Sequence, residues 1–175
     1  DRYLLLTVFI SGMTTLGVEL SASRLLDPFF GNSLVIWATI IGLMLLYLTA
    51  GYFVGGRWAD RDPRFSTLFQ ITAWGAFLVG LVPFIAAPVL HWSVQGMAGY
   101  NAGLLGGSLI GVLILFSLPI TLLGTVSPFA IRLALSDVAR GGHTAGSIYG
   151  LSTLGSLMGT FLPVLLLIPN IGTRL

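Results

Sequence analysis

The chain has 175 residues, of which 55% are hydrophobic and only 8% charged, with 23 glycines and a formal net charge of +2. A soluble domain carries roughly 25% charged residues, and a globule of this size leaves about 30% of its unfolded surface facing solvent. These charges cannot cover such a surface, which excludes a soluble enzyme, a disordered tail and a secreted disulfide scaffold and makes lipid the solvent for most of the chain.

Apolar stretches of about 20 residues are the spanning signal, and five follow one another. The first runs from Tyr3 to about Leu26 and is expected to stop at Asp27-Pro28, because proline disfavours helix in the residue before it. It has no charged leader and no small-x-small cleavage site, so it reads as a span and not as a cleavable signal. The second is Leu34 to Gly56, the third Leu68 to Leu90. The fourth, Gly103 to Leu135, exceeds a straight crossing and contains Pro119 and Pro128, so a kinked helix is expected there. The fifth is Thr144 to Ile168. None alternates with period two, so strands are excluded. The fold expected is a single all-α integral membrane domain over residues 1–175, with about five transmembrane helices packed through small residues.

Arginine placement predicts orientation. A cytoplasmic N-terminus puts Arg2, Arg57, Arg61, Arg64, Arg132 and Arg140 inside and only Arg24 and Arg174 outside. Tyr3, Trp58, Phe65, Trp92 and Tyr100 lie near the boundaries, where aromatic anchors belong. The expected location is a bacterial-type cytoplasmic (inner) membrane.

Glycines four apart share a helix face and let backbones approach in lipid. Gly51 with Gly55, Gly103 with Gly107 and Gly111, Gly142 with Gly146 and Gly150, and Gly155 with Gly159 have this spacing, and the expectation is helix packing.

Absent residue types narrow the chemistry. There is no cysteine and no lysine, so thiolate ligands, Walker A sites and Schiff bases are excluded, and His91 and His143 are too few for a three-histidine metal centre. No catalytic residue, metal site or cofactor is expected, and the small scattered charge excludes nucleic acid as a partner. Membrane lipid is the expected environment, together with other transmembrane subunits or a soluble domain outside this chain.

The candidate intramembrane polar site comprises Glu19, Arg24, Ser127 and Arg132. Glu19 is the one acid well inside a span, and such a carboxylate is expensive unless partnered. It reads either as a structural group hydrogen-bonded to another helix or as a proton or amine ligand. Arg24 is expected to pair with Asp27, three residues on, and not with Glu19. Ser127-Pro128 releases backbone groups that need a protein partner or a wet cavity. Leu16-Gly17 through Arg24-Leu25 also echoes Leu123-Gly124 through Arg132-Leu133, three spans apart, as in inverted repeats.

The segment Gly56-Arg57-Trp58-Ala59-Asp60-Arg61-Asp62-Pro63-Arg64 resembles the major-facilitator loop, with Pro63 where that pattern has glycine. The resemblance implies a charge latch by Asp60, Arg61 and Arg64 onto a neighbouring helix end. The residues alone favour an ordinary tight cytoplasmic turn that carries positive-inside arginines.

More of the chain carries a second resemblance. Phe9-Ile10-Ser11-Gly12, Glu19, Arg24-Leu25, Pro28, Phe30-Gly31-Asn32-Ser33 and Trp37 come first. Gly51-Tyr52, Gly55-Gly56-Arg57 and Ala59-Asp60-Arg61 follow, then Leu123-Gly124, Ser127-Pro128 and Ile131-Arg132-Leu133. Gly146, Tyr149, Ser152-Thr153-Leu154-Gly155-Ser156, Gly159-Thr160, Ile168-Pro169 and Gly172-Thr173-Arg174 complete the set. In order and spacing these resemble the membrane-embedded N-terminal part of fused spermidine synthase-like proteins, also described as major-facilitator/spermidine synthase fusions. In such fusions a Rossmann-like aminopropyltransferase domain follows the membrane part. These residues contain no strand-helix alternation and no Gly-rich nucleotide turn, so no aminopropyltransferase residue carries over. The chain alone is expected to be a non-catalytic structural subunit of a membrane assembly or a membrane anchor. The alternative is a transporter-like or channelling module for polyamines or another small cation, with Glu19 as ligand.

Overall fold

The computed structural model describes residues 2–97, 103–135 and 141–171. Tyr100, Arg140 and Gly172-Thr173-Arg174 of the sequence reading lie outside the described residues. Five long helices follow one another: α1 (Arg2–Phe30), α2 (Leu34–Arg61), α3 (Phe65–Met97), α4 (Gly103–Ala134) and α5 (Gly141–Leu162). At Pro163, which cannot donate to the Gly159 carbonyl, the helix widens into a π-helical stretch, Pro163–Leu167, and ends in a short α6, Ile168–Ile171. Among the described residues there is no strand, and the five helices are each long and apolar enough to cross a membrane.

Several boundaries differ from the sequence reading. Helix α1 does not stop before Pro28 but includes it and ends at Phe30. The missing N–H of Pro28 costs one bond to the Arg24 carbonyl near the helix end. Gly31 then closes the helix in the left-handed region, φ +73°, with its N–H on the Asp27 carbonyl at 2.9 Å. Helix α2 continues past Gly56 to Arg61, so most of the presumed loop is helical and only Asp62-Pro63-Arg64 connects α2 to α3. Helix α3 exceeds its expected limits at both ends and runs through Pro83 and Pro88, as α4 runs through Pro119 and Pro128.

Helix α4 is the hub, packed on α1, α2, α3 and α5. Gly51 and Gly55 of α2 lie on Thr121, Gly124 and Thr125, so α2 and α4 run parallel. Gly75 of α3 meets Leu122 and Leu123, while Gly107 and Gly111 meet Ser93 and Leu90, so α3 and α4 are antiparallel. The Ser11 hydroxyl donates to the Leu123 carbonyl at 3.4 Å and Phe30 fills the space over Gly107 and Gly111, which sets α1 antiparallel to α4. Helix α5 lies parallel to α1, with Gly155 on Phe9, Gly159 on Met13, and the Ser156 hydroxyl donating to the Gly12 carbonyl at 3.2 Å.

These registers put Arg2, Arg57, Arg61, Arg64 and Arg132 at one end of the bundle, with Phe30, Ser33 and His91 at the other. Two apolar clusters fill the interior. Leu4, Val8, Ala59, Leu68, Ile71, Val126, Phe129, Ala130 and Ile148 pack near the arginine-rich end. Leu26, Phe30, Ile40, Met44, Tyr47, Leu90, Leu115, Phe116 and Ile120 belong to the larger cluster beyond it. In a bilayer, whose tails are as apolar as these side chains, close packing and not removal from water would favour this association.

Candidate functional site

Glu19 lies on the face of α1 that turns into the bundle, one turn from buried Thr15 and Ala22. It is half-buried, and its carboxylate makes no hydrogen bond or ion pair among the described residues. The sequence reading of a structural carboxylate required a donor on a neighbouring helix; the nearby hydroxyls point elsewhere. Thr15 donates to the Ser11 carbonyl at 2.8 Å, and Ser23 to the Leu20 carbonyl at 2.8 Å.

Interpolating between the Ser11–Leu123 and Phe30–Gly107 contacts places Glu19 opposite the turn of α4 around Ser117. Tyr47 reaches the same depth, since it stands one turn before Gly51, which rests on Thr121. Tyr47 is 7% exposed and its hydroxyl has no hydrogen-bond partner among the described residues. Pro119 cannot donate to the Leu115 carbonyl, so one backbone acceptor loses its helical donor at this level. Val18 and Ala22, which flank Glu19 on α1, belong to the apolar assembly that buries Tyr47. Tyr47 escaped the sequence reading; its signal was a phenol in mid-span, one turn from a glycine contact face.

The other candidate residues do not join Glu19. Arg24 is exposed and pairs with neither Glu19 nor Asp27 among the described residues. The expected Arg24–Asp27 pair is therefore absent from the structure, and an i, i+3 pair gains only about 0.2–0.5 kcal/mol, too little to hold an exposed side chain. Ser127 is half-buried. Arg132 lies about 25 Å from Glu19 along the bundle, because antiparallel α1 and α4 carry the two residues in opposite directions from the Ser11–Leu123 contact. Its Nε is 3.3 Å from Asp60 Oδ1, joining the last turns of α2 and α4.

Of the latch residues, Asp60 alone is ion-paired to another helix among the described residues. Arg64 pairs with Asp62 within the connection, and Thr67 donates to Asp62 Oδ2 at 2.7 Å. These hydrogen bonds from Arg64 and Thr67 hold the Asp62 carboxyl below its ordinary range, and Asp62 in turn raises Arg64. Arg61 instead lies with Arg57 and Trp58 on the outer flank of α2. His91 meets the Phe29 ring edge-on at 5.0 Å, at the end opposite His143. No group of three His, Asp or Glu among the described residues could hold a metal ion.

The packing glycines Gly51, Gly55, Gly107, Gly111, Gly155 and Gly159 are all buried. Gly142, Gly146 and Gly150 have open space where a β-carbon would stand. Comparison with known protein families, curated proteins and solved structures finds no match to this chain.

Proposed function

We propose that the chain is a non-catalytic domain of a cytoplasmic-type membrane, N-terminus inside, serving as a structural subunit of a larger membrane assembly. The motif resemblance to the membrane part of spermidine synthase-like fusions supports this reading. The observation that carries it is α5. One face of α5 is seated on α1 through Gly155 and Gly159, while a β-carbon at Gly146 or Gly150, at the same spacing, would meet nothing among the described residues. Elsewhere in the molecule glycines so spaced are filled by a neighbouring helix, and a helix of another chain would fill this face in the same way.

Cross-linking from Gly146→Cys in native membranes tests it. The expected product joins this chain to a second transmembrane polypeptide, and recovery of the monomer alone overturns the subunit reading. A product with a soluble domain alone would assign the anchor role instead.

A second reading has its own observation. An inward-facing carboxylate without a donor, at the depth of an unpartnered tyrosine hydroxyl, supports a transporter-like module for a small cation such as a polyamine. Saturable spermidine uptake by reconstituted vesicles, lost in Glu19→Gln, is the result this reading requires; vesicles without uptake remove it.

A further inference from the structure

Helix α2 spends one face on α4: Gly51, Gly55 and Ala59 are buried there. Val54, Arg57, Trp58 and Arg61 follow the i, i+3, i+4, i+7 spacing on a different flank, and they line an open groove of about 300 Å³. Val54 is 44% and Trp58 41% exposed, so the apolar part of this groove faces the surroundings of the bundle.

The charges around it are already divided. Asp60 is taken by Arg132 and Asp62 by Arg64, leaving Arg57 and Arg61 with no carboxylate partner among the described residues. Two full positive charges outweigh the roughly half negative charge that the end of α2 presents. From Val54 to Arg61 the helix rises about 10 Å, with the apolar side chain first, Arg57 and the Trp58 indole on the next turn, and Arg61 last. The flank thus turns from apolar to cationic in the direction in which a phospholipid leaflet passes from acyl chain through interface to headgroup, and the long Arg57 side chain can extend toward Arg61. Guanidinium forks match phosphate oxygens, and indoles settle at the membrane boundary.

We propose that the Val54–Arg57–Trp58–Arg61 flank of α2 binds one anionic phospholipid, its headgroup phosphate on Arg57 and Arg61 and its acyl chain along Val54. A zwitterionic headgroup brings its own ammonium to the same place and gains less.

Trp58 supplies the reporter. In the full chain carrying Trp37→Phe, Trp74→Phe and Trp92→Phe, brominated phosphatidylglycerol should quench Trp58 at about tenfold lower concentration than brominated phosphatidylcholine of equal chain length. Arg57→Gln with Arg61→Gln should erase that preference. Arg2→Gln with Arg64→Gln, which removes the same charge from the same end, should keep it. Equal quenching by both lipids overturns the proposal. So does equal loss in the control, which would mean a diffuse charge effect, or displacement of the lipid by inorganic phosphate, which would mean a simple anion site. Native mass spectrometry of the unaltered chain is the second readout: one retained phosphatidylglycerol is expected, and equal retention of phosphatidylcholine counts against the site.

Discussion

Gly155 lies so close to the carbonyl of Phe9 that a β-carbon at position 155 would overlap it. One turn on, Gly159 stands in the same relation to Met13, and together the two glycines seat α5 on α1. Backbone, which cannot swing aside like the end of a side chain, forms the opposing wall. Gly155→Leu should therefore cost at least about 1–3 kcal/mol, the usual range for overpacking. It should lower the melting temperature in detergent and expose α5 to proteolysis. Gly146→Leu, placed in open space, should leave the melting temperature of the isolated chain unchanged. Equal effects from the two substitutions would show that α5 is not held by this contact.

The Asp60–Arg132 pair joins parallel helices at their exposed ends, with side chains 73% and 45% accessible. Exposed pairs contribute about 0–1 kcal/mol. A double-mutant cycle with Asp60→Asn and Arg132→Gln should find a coupling in that range, shrinking as salt is raised. A coupling of several kcal/mol would identify the pair as a latch on which the fold depends.

Much of this fold is legible as runs of hydrophobicity, because in lipid every span must satisfy its own backbone and therefore be helical. The ends of the spans were less legible. Proline at position 28 reads as a stop, yet the αL turn at Gly31 makes a later stop possible; Gly56 to Arg61 are polar enough for a loop but extend α2 beyond its apolar stretch. The echo between Leu16-Gly17 and Leu123-Gly124 has a structural counterpart. Gly17 lies near the Gly159 carbonyl and Gly124 against Gly51, each glycine serving a parallel neighbour. Partner choice was not legible: nothing in the spacing of Gly142, Gly146 and Gly150 distinguishes an open face from the buried one at Gly155 and Gly159. Tyr47 was missed for a related reason, since only the tertiary register brings it to the depth of Glu19.

Asp62 caps the α2–α3 connection through Arg64 and Thr67, and its carboxyl is held below the ordinary aspartate value of about 3.9. A depressed folded-state value means that the stabilisation is complete above the unfolded value and is lost as pH falls through the folded one. Carboxyl carbon shifts should show Asp62 titrating below the ordinary aspartate range, and Thr67→Ala should move it upward. An ordinary value in the parent chain would contradict this geometry.

The arginine-rich end is expected to be cytoplasmic. Asn32→Cys and Asp62→Cys stand at opposite ends of α2, so an impermeant thiol reagent added outside intact cells should label Asn32→Cys alone. Labelling of Asp62→Cys alone would invert the topology, and labelling of both would remove α2 as a span.

Glu19 separates the two functional readings, and its lack of a partner fixes the signs. A carboxylate that donors on neighbouring helices hold in place loses those bonds on substitution, at roughly 1–3 kcal/mol for each group left unsatisfied. Glu19 accepts no such bond among the described residues, so Glu19→Leu removes only the cost of keeping a polar group half-buried. The melting temperature of the isolated chain should hold or rise. Tyr47→Phe should behave alike, since it deletes a buried hydroxyl that has no partner. If the two groups share a bound cation or water, each substitution instead destabilises, and the double variant costs less than the sum of the singles because one ligand is lost in both. Melting curves with and without added spermidine distinguish the cases. A spermidine-dependent rise in the parent chain that disappears in both Glu19→Gln and Tyr47→Phe would carry the cation reading. The same curves with no spermidine effect would leave Glu19 to a partner helix supplied by another chain.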